Sequence, residues 1–234
     1  MVSGTRRAFR CVTFWLVASV IIHGDVCAQG SVSGRLSIAE RADATARDVG
    51  SAIVQLESLD PARRDRSDAM AATEIDMRGR EFLPHVQIVR VGGKVAFPNS
   101  DPFSHNVFSN SALGAFDLGL YRSRVSRSST FDRPGTYAIY CNIHARMVSF
   151  VVVVNTPYVT KVKSDGRFLL TGVPAGSYRL RVWHERAPEL LRTIEVSSTG
   201  MADLALSLDA RGYVDKQHLN KFGVAYTATR ADRY

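Results

Sequence analysis

Tyr140-Cys141-Asn142-Ile143-His144-Ala145-Arg146-Met147 runs straight into Val148-Ser149-Phe150-Val151-Val152-Val153-Val154, and the reading of this stretch decides the fold. The second half is a β-forming run. The first half places a thiol, an imidazole and a thioether at three-residue intervals at the mouth of that strand. Upstream, Asn99-Ser100-Asp101-Pro102-Phe103-Ser104-His105-Asn106-Val107-Phe108 offers a second imidazole between turn residues and a strand. One thiolate, two imidazoles and a weak thioether suit an ion that cycles between soft monovalent and borderline divalent states, as copper does in electron-transfer sites. The expected equatorial ligands are Cys141, His105 and His144, with Met147 as the axial donor. Asn106 is the expected supporting residue, its amide near the thiolate and its side chain tying the two ligand loops together.

The N-terminus reads as a targeting segment. Arg6, Arg7 and Arg10 precede an apolar stretch, Val12 to Ile22, and small residues end at Ala28, so residues 1–28 are expected to be a signal peptide. Thr5-Arg6-Arg7-Ala8-Phe9 also resembles a twin-arginine export signal, but Arg10 falls where such signals carry an apolar residue, so ordinary secretion is the reading. The expected location is the periplasm or the exterior, with no membrane span. Cleavage near Ala28 would remove Cys11 and Cys27 and leave Cys141 alone. A single thiol excludes a disulfide framework and a binuclear copper centre with two bridging thiolates.

The whole chain carries a net charge of +8; setting aside Arg6, Arg7, Arg10 and Asp25 leaves 27 basic and 21 acidic residues, about +6. No Lys/Arg block is interleaved with aromatics, so no nucleic acid is expected as partner. A mildly basic surface suits an acidic redox partner. The five remaining histidines are too few for a multicopper oxidase, and neither a phosphate loop nor a nucleophile elbow occurs. A self-contained enzyme is not expected.

Short β-branched and aromatic runs separated by Gly, Pro, Asn and Asp predict an all-β chain. Residues 73–155 read as a Greek-key sandwich carrying the ligands, and 156–209 as part of a second sandwich. Residues 29–59 supply early strands, 60–72 a linker, and 210–234 an aperiodic tail. The early strands are taken to complete the second sandwich, so that the ligand domain is inserted within it; the alternative is that they extend the first. Asp165-Gly166 signals a hairpin. His85, Trp183-His184-Glu185 and His218 are read as structural.

The phrases Phe97-Pro98-Asn99-Ser100-Asp101, His105-Asn106-Val107 and Cys141-x-x-His144-x-x-Met147 together resemble the cupredoxins of the plastocyanin and amicyanin kind. The short gap before Met147 is similar to amicyanin. Amicyanin-type loops usually carry a proline beside the ligand histidine, whereas Ile143 and Ala145 flank His144 here. Ser164-Asp165-Gly166-Arg167-Phe168 and Val173-Pro174-Ala175-Gly176-Ser177-Tyr178 resemble the carboxypeptidase-regulatory, transthyretin-like sandwich. With Phe116-Asp117-Leu118-Gly119-Leu120-Tyr121, the combination resembles bacterial cupredoxin-domain proteins labelled methylamine-utilisation proteins. The resemblance implies one mononuclear type 1 copper, single-electron transfer, and a protein redox partner such as a cytochrome or a dehydrogenase. Two rival readings are a copper carrier or storage protein without redox cycling, and a β-sandwich binding module with a vestigial site.

Overall fold

The computed structural model describes residues 29–41, 48–63 and 73–226. The expected signal peptide and most of the expected linker, 64–72, lie outside them. In chain order the strands are β1 (Gln29–Ala39), β2 (Ile53–Ser58), β3 (Thr73–Glu74), β4 (Asp76–Arg78), β5 (Glu81–Leu83), β6 (Val86–Arg90), β7 (Gly93–Pro98), β8 (His105–Ser109) and β9 (Phe116–Tyr121). They continue as β10 (Ser126–Phe131), β11 (Gly135–Tyr140), β12 (Val148–Val154), β13 (Val159–Lys161), β14 (Arg167–Pro174), β15 (Gly176–His184), β16 (Ala187–Val196) and β17 (Met201–Asp209). The all-β expectation holds throughout the described residues.

A five-stranded sheet, β6-β12-β11-β8-β9, and a three-stranded sheet, β10-β7-β3, enclose a core that includes Ile75, Phe82, Val95, Phe97, Phe131, Ile139 and Val151. Cys141 and Met147 belong to that same core. Two further sheets, β14-β1-β17 and β13-β2-β15-β16, share a second core of Val32, Leu56, Phe168, Tyr178, Leu180 and Leu206 among others. β1 pairs with β14 and β17, and β2 pairs with β13 and β15. The Asp165-Gly166 turn closes locally, its Gly166 at φ +84°, but its flanking strands belong to different sheets. It carries the chain from one layer to the other, because β13 is drawn to β2 while β14 takes β1.

Burial explains the strand patterns. β15 alternates, with Tyr178, Leu180 and Val182 facing inward, as a sheet with one buried face requires. β12 does not alternate. Val151 and Val153 enter the first core, while Val152 and Val154 meet Ile53 and Val86 in a third cluster between the sandwiches. Trp183 and Phe150 pack there, ring centroids 5.2 Å apart. A strand buried on both faces reads as an unbroken apolar run, which accounts for the valines after Met147.

β9 and the pairing of β4 with β5 escape the sequence reading. β9 lies within the motif Phe116–Tyr121, and β4-β5 is a hairpin with Gly79 and Arg80 both at positive φ, +65° and +62°. A two-residue turn with both central residues left-handed matches the twist of its strands. A non-glycine such as Arg80 is an unusual occupant, so the sequence carries no turn signal there.

Candidate metal centre

The site lies at one end of the first sandwich, where three strand ends meet. β8 opens with His105, β11 closes at Tyr140 immediately before Cys141, and β12 opens after Met147. The Cys141–Met147 loop closes on itself: the Cys141 N–H donates to the Met147 carbonyl at 3.3 Å, and the Met147 N–H to the His144 carbonyl at 3.1 Å. These bonds fix a three-residue rhythm that returns Cys141, His144 and Met147 to one side of the loop.

Three of the expected ligands come together. Cys141 Sγ lies 3.8 Å from His105 Nδ1 and 3.6 Å from His144 Nδ1. The three donor atoms all fall within 4.8 Å of one another. An ion held at about 2.0–2.3 Å from each donor in a trigonal plane would require sulfur–nitrogen spacings of about 3.7 Å, so the residues present fit a metal. Met147 is buried, 1% exposed, beside Cys141 in the core. Cys141 and His105 are fully buried and His144 half-buried.

The thiol is tuned from two sides. Burial pushes the Cys141 thiol up, while hydrogen bonds from the N–H groups of Ile143, Asn106 and His144 pull it down; burial prevails. Metal binding would displace this proton. The expected proximity of the Asn106 amide to sulfur is present. Its side chain goes elsewhere than expected: Nδ2 donates to Asp117 on β9 at 2.7 Å, leaving the ligand loop to other partners.

Sequence reasoning gave Asp101 no part in the site, yet it contacts His105 directly. The His105 Nε2–H donates to its carboxylate at 2.8 Å, so Nδ1 is left as the lone-pair donor facing Cys141. Asp101 is itself held by the N–H groups of Gly79 at 2.6 Å and Arg80 at 2.9 Å, the left-handed turn of the β4-β5 hairpin. Burial would raise its carboxyl, but the amides of Arg80 and Gly79 and the His105 bond outweigh this and keep it below the usual carboxylate range. Asn99, 1% exposed, braces the loop by donating to the Phe103 carbonyl at 2.8 Å and accepting from the Asp101 N–H at 3.1 Å. The signal was an acidic residue four positions before a ligand histidine, which carries weight only once the loop geometry is known. Phe103 lies against both imidazoles, its ring centroid 5.1 Å from His105 and 6.0 Å from His144.

The structural neighbours are amicyanin and other cupredoxins. A copper(I) form of an amicyanin variant is 26% identical, covering 36% of this chain and 82% of that one, with a TM-score of 0.34. A purple cupredoxin from Nitrosopumilus maritimus is 22% identical and covers 37% of this chain and 100% of that one, TM-score 0.32. A reduced copper(I) form of a second amicyanin variant is 25% identical over 43% of this chain and 98% of that one, TM-score 0.34. None of these bears on the transthyretin-like resemblance of the second unit. No protein-family model matches the chain, and no curated protein sequence does. Among the described residues, no helix is long and apolar enough to cross a membrane.

Proposed function

We propose that this is an exported, mononuclear type 1 copper protein that passes single electrons between redox partners. The observation that carries the reading is the pair of Nδ1 atoms facing one buried thiol at 3.8 and 3.6 Å, at the spacing a trigonal site demands. His105, Cys141 and His144 would hold the metal, with Met147 as the axial donor. Copper bound there supplies a one-electron couple between its monovalent and divalent states.

The chain's own residues do the rest. Asp101 locks the His105 tautomer and ring plane, and the loop hydrogen bonds hold Cys141 and Met147 in register, so the donors need move little when charge changes. The Asn106 and His144 amides at sulfur stabilise the thiolate. Phe103 lies over both imidazoles and limits water. His144, the least buried of the three donors, is the natural point at which a cytochrome or a dehydrogenase would exchange the electron. The protein itself catalyses no bond-making step on this reading.

The test is reconstitution of the processed protein with divalent copper, followed by visible spectroscopy and potentiometry. An intense thiolate-to-copper band, bleached reversibly by reductant and absent in Cys141→Ser, is the expected result. A colourless protein retaining only monovalent copper would point to a carrier or store, and absence of stoichiometric copper to a binding module with a vestigial site. N-terminal sequencing of the protein from the periplasmic fraction checks export, with a start near Gln29 expected.

A further inference from the structure

The chain beyond β17 has no periodicity and reads from the sequence as a surface arm or tail. In the structure residues 218–226 of this arm lie against the ligand loop. The Tyr226 hydroxyl donates to the Cys141 carbonyl at 2.7 Å. His218 Nε2 is 3.3 Å from the His144 carbonyl, and its ring stacks on Tyr140, the residue before Cys141, at 4.4 Å and 25°. The Lys221 N–H donates to Asn142 Oδ1 at 2.9 Å. Lys221 Nζ also pairs with Asp117 at 2.6 Å, the same carboxylate that receives Asn106.

Apolar burial does not hold this arm in place. Val214, Leu219, Phe222 and Val224 all point outward, each more than half exposed. The residues turned inward are the polar and aromatic ones, His218, Asn220, Lys221 and Tyr226. Their placement is prepared locally: Asn220 Oδ1 accepts the N–H groups of Phe222 and Val224, Gly223 sits at φ +76°, and the turn presents Lys221 to the loop. The ligand loop has no proline of its own between Cys141 and Met147, so nothing in its covalent structure restricts φ. The Cys141 carbonyl, in a fully buried residue, accepts a hydrogen bond from the Tyr226 hydroxyl.

We infer that the C-terminal arm is a clamp on the metal-binding loop, with Tyr226, His218 and Lys221 as positioning residues that hold Cys141, His144 and Asn142 in the arrangement the donors require. Tyr226 and His218 fix the two carbonyls that flank the loop's turn. Lys221 completes a chain of bonds from Asn106 through Asp117 to Asn142, the tie between the two ligand segments that Asn106 does not make by itself. The role rests on the copper reading for its purpose, but the clamp can be tested without metal.

The experiment compares the full-length processed protein with Tyr226→Phe, His218→Ala and the double variant. In the metal-free state, amide hydrogen exchange is followed at residues 142–147 and, as a control, along β15. In the copper-loaded state, the rate of metal transfer to a monovalent-copper chelator and the electronic spectrum are recorded. Loss of one such hydrogen bond should speed exchange in the loop about tenfold, with β15 unchanged. The double variant should release copper faster in the same order, with an altered thiolate band. Loop exchange that stays at the wild-type rate overturns the clamp, and so does acceleration spread equally through β15, which would mark a general loss of stability. If the wild type takes up no copper but the loop alone loosens, the clamp stands and the copper reading falls.

Discussion

Asp101 and Met147 carry the sharpest tests at the scale of single residues. Asp101 touches no metal position itself, yet it decides which nitrogen of His105 is available. Asp101→Asn keeps the size and loses the charge, and partners of this kind cost 10–100-fold in metal affinity when altered. Copper affinity measured by chelator competition should therefore fall by roughly 10–100-fold, with far-ultraviolet dichroism unchanged. An unaltered affinity would show that the ring is oriented by packing alone. Met147 is both a core residue and the expected axial donor. Met147→Leu conserves volume and should cost less than about 1.5 kcal/mol in unfolding free energy. It removes the fourth donor and leaves a three-coordinate site, which suits the monovalent ion better than the divalent one, so the midpoint potential should rise. A potential that does not move would reduce Met147 to a core side chain.

At the scale of elements, β12 shows how one strand can serve two cores. Val151 and Val152 point to opposite faces, the first into the ligand-bearing core and the second into the contact between sandwiches. Each valine-to-alanine change removes two buried methylene equivalents and leaves a small cavity, a cost of about 2 kcal/mol. Urea unfolding of Val151→Ala and Val152→Ala should show losses of similar size. A strand buried on one face only would be sensitive at just one of the two positions. The β4-β5 hairpin makes a different point. Its left-handed Gly79 and Arg80 aim two amides at Asp101, so an element without sequence signature supports the residue that supports His105. Such a turn is legible only after folding, because Arg80 is not a residue that marks left-handed backbone.

At the scale of the whole molecule, the two sandwiches meet through Ile53, Val86, Val152 and Val154, with Trp183 and Phe150 alongside. At the rim, His85 Nε2 lies 2.9 Å from Glu185, the His85 ring stands edge-on to Phe150 at 5.5 Å, and Lys161 Nζ reaches the Val86 carbonyl. The hydrogen bond to Glu185 raises the His85 imidazole above its ordinary 6.5, against the opposing effect of burial and with further help from the charges of Glu185 and Asp48. A group raised on folding stabilises the folded state fully below its unfolded value, and that contribution disappears as pH climbs through the folded value. The rim contact should thus be complete well below pH 6.5 and be lost as pH climbs through the raised folded value. The pair is partly exposed, so the effect is small, about 0.5 kcal/mol or roughly 1–2 °C in melting temperature. Melting curves of wild type and Glu185→Gln should differ most in mildly acidic solution and draw together as pH rises past the raised His85 value; a constant difference would remove His85 from the account.

The sequence alone was enough for the β architecture and for His105, Cys141 and His144 as a set of donors that the fold brings together. Those inferences follow from local chemistry: β-branched runs seek sheets, and donor types at fixed spacing on one tight loop meet wherever that loop closes. Contacts made between distant segments were not legible in this way. Asp101 acquires its role from a hairpin more than twenty residues earlier, the Asn106 side chain turns to Asp117 because β9 lies beside β8, and the Asp165-Gly166 turn joins two layers because β2 and β1 capture its flanks. Most of all, Tyr226, His218 and Lys221 reach Cys141, His144 and Asn142 across more than seventy residues of chain. No periodicity records such a contact, since it depends on where the last strand ends in space, and only the tertiary structure decided that the tail lies over the metal loop.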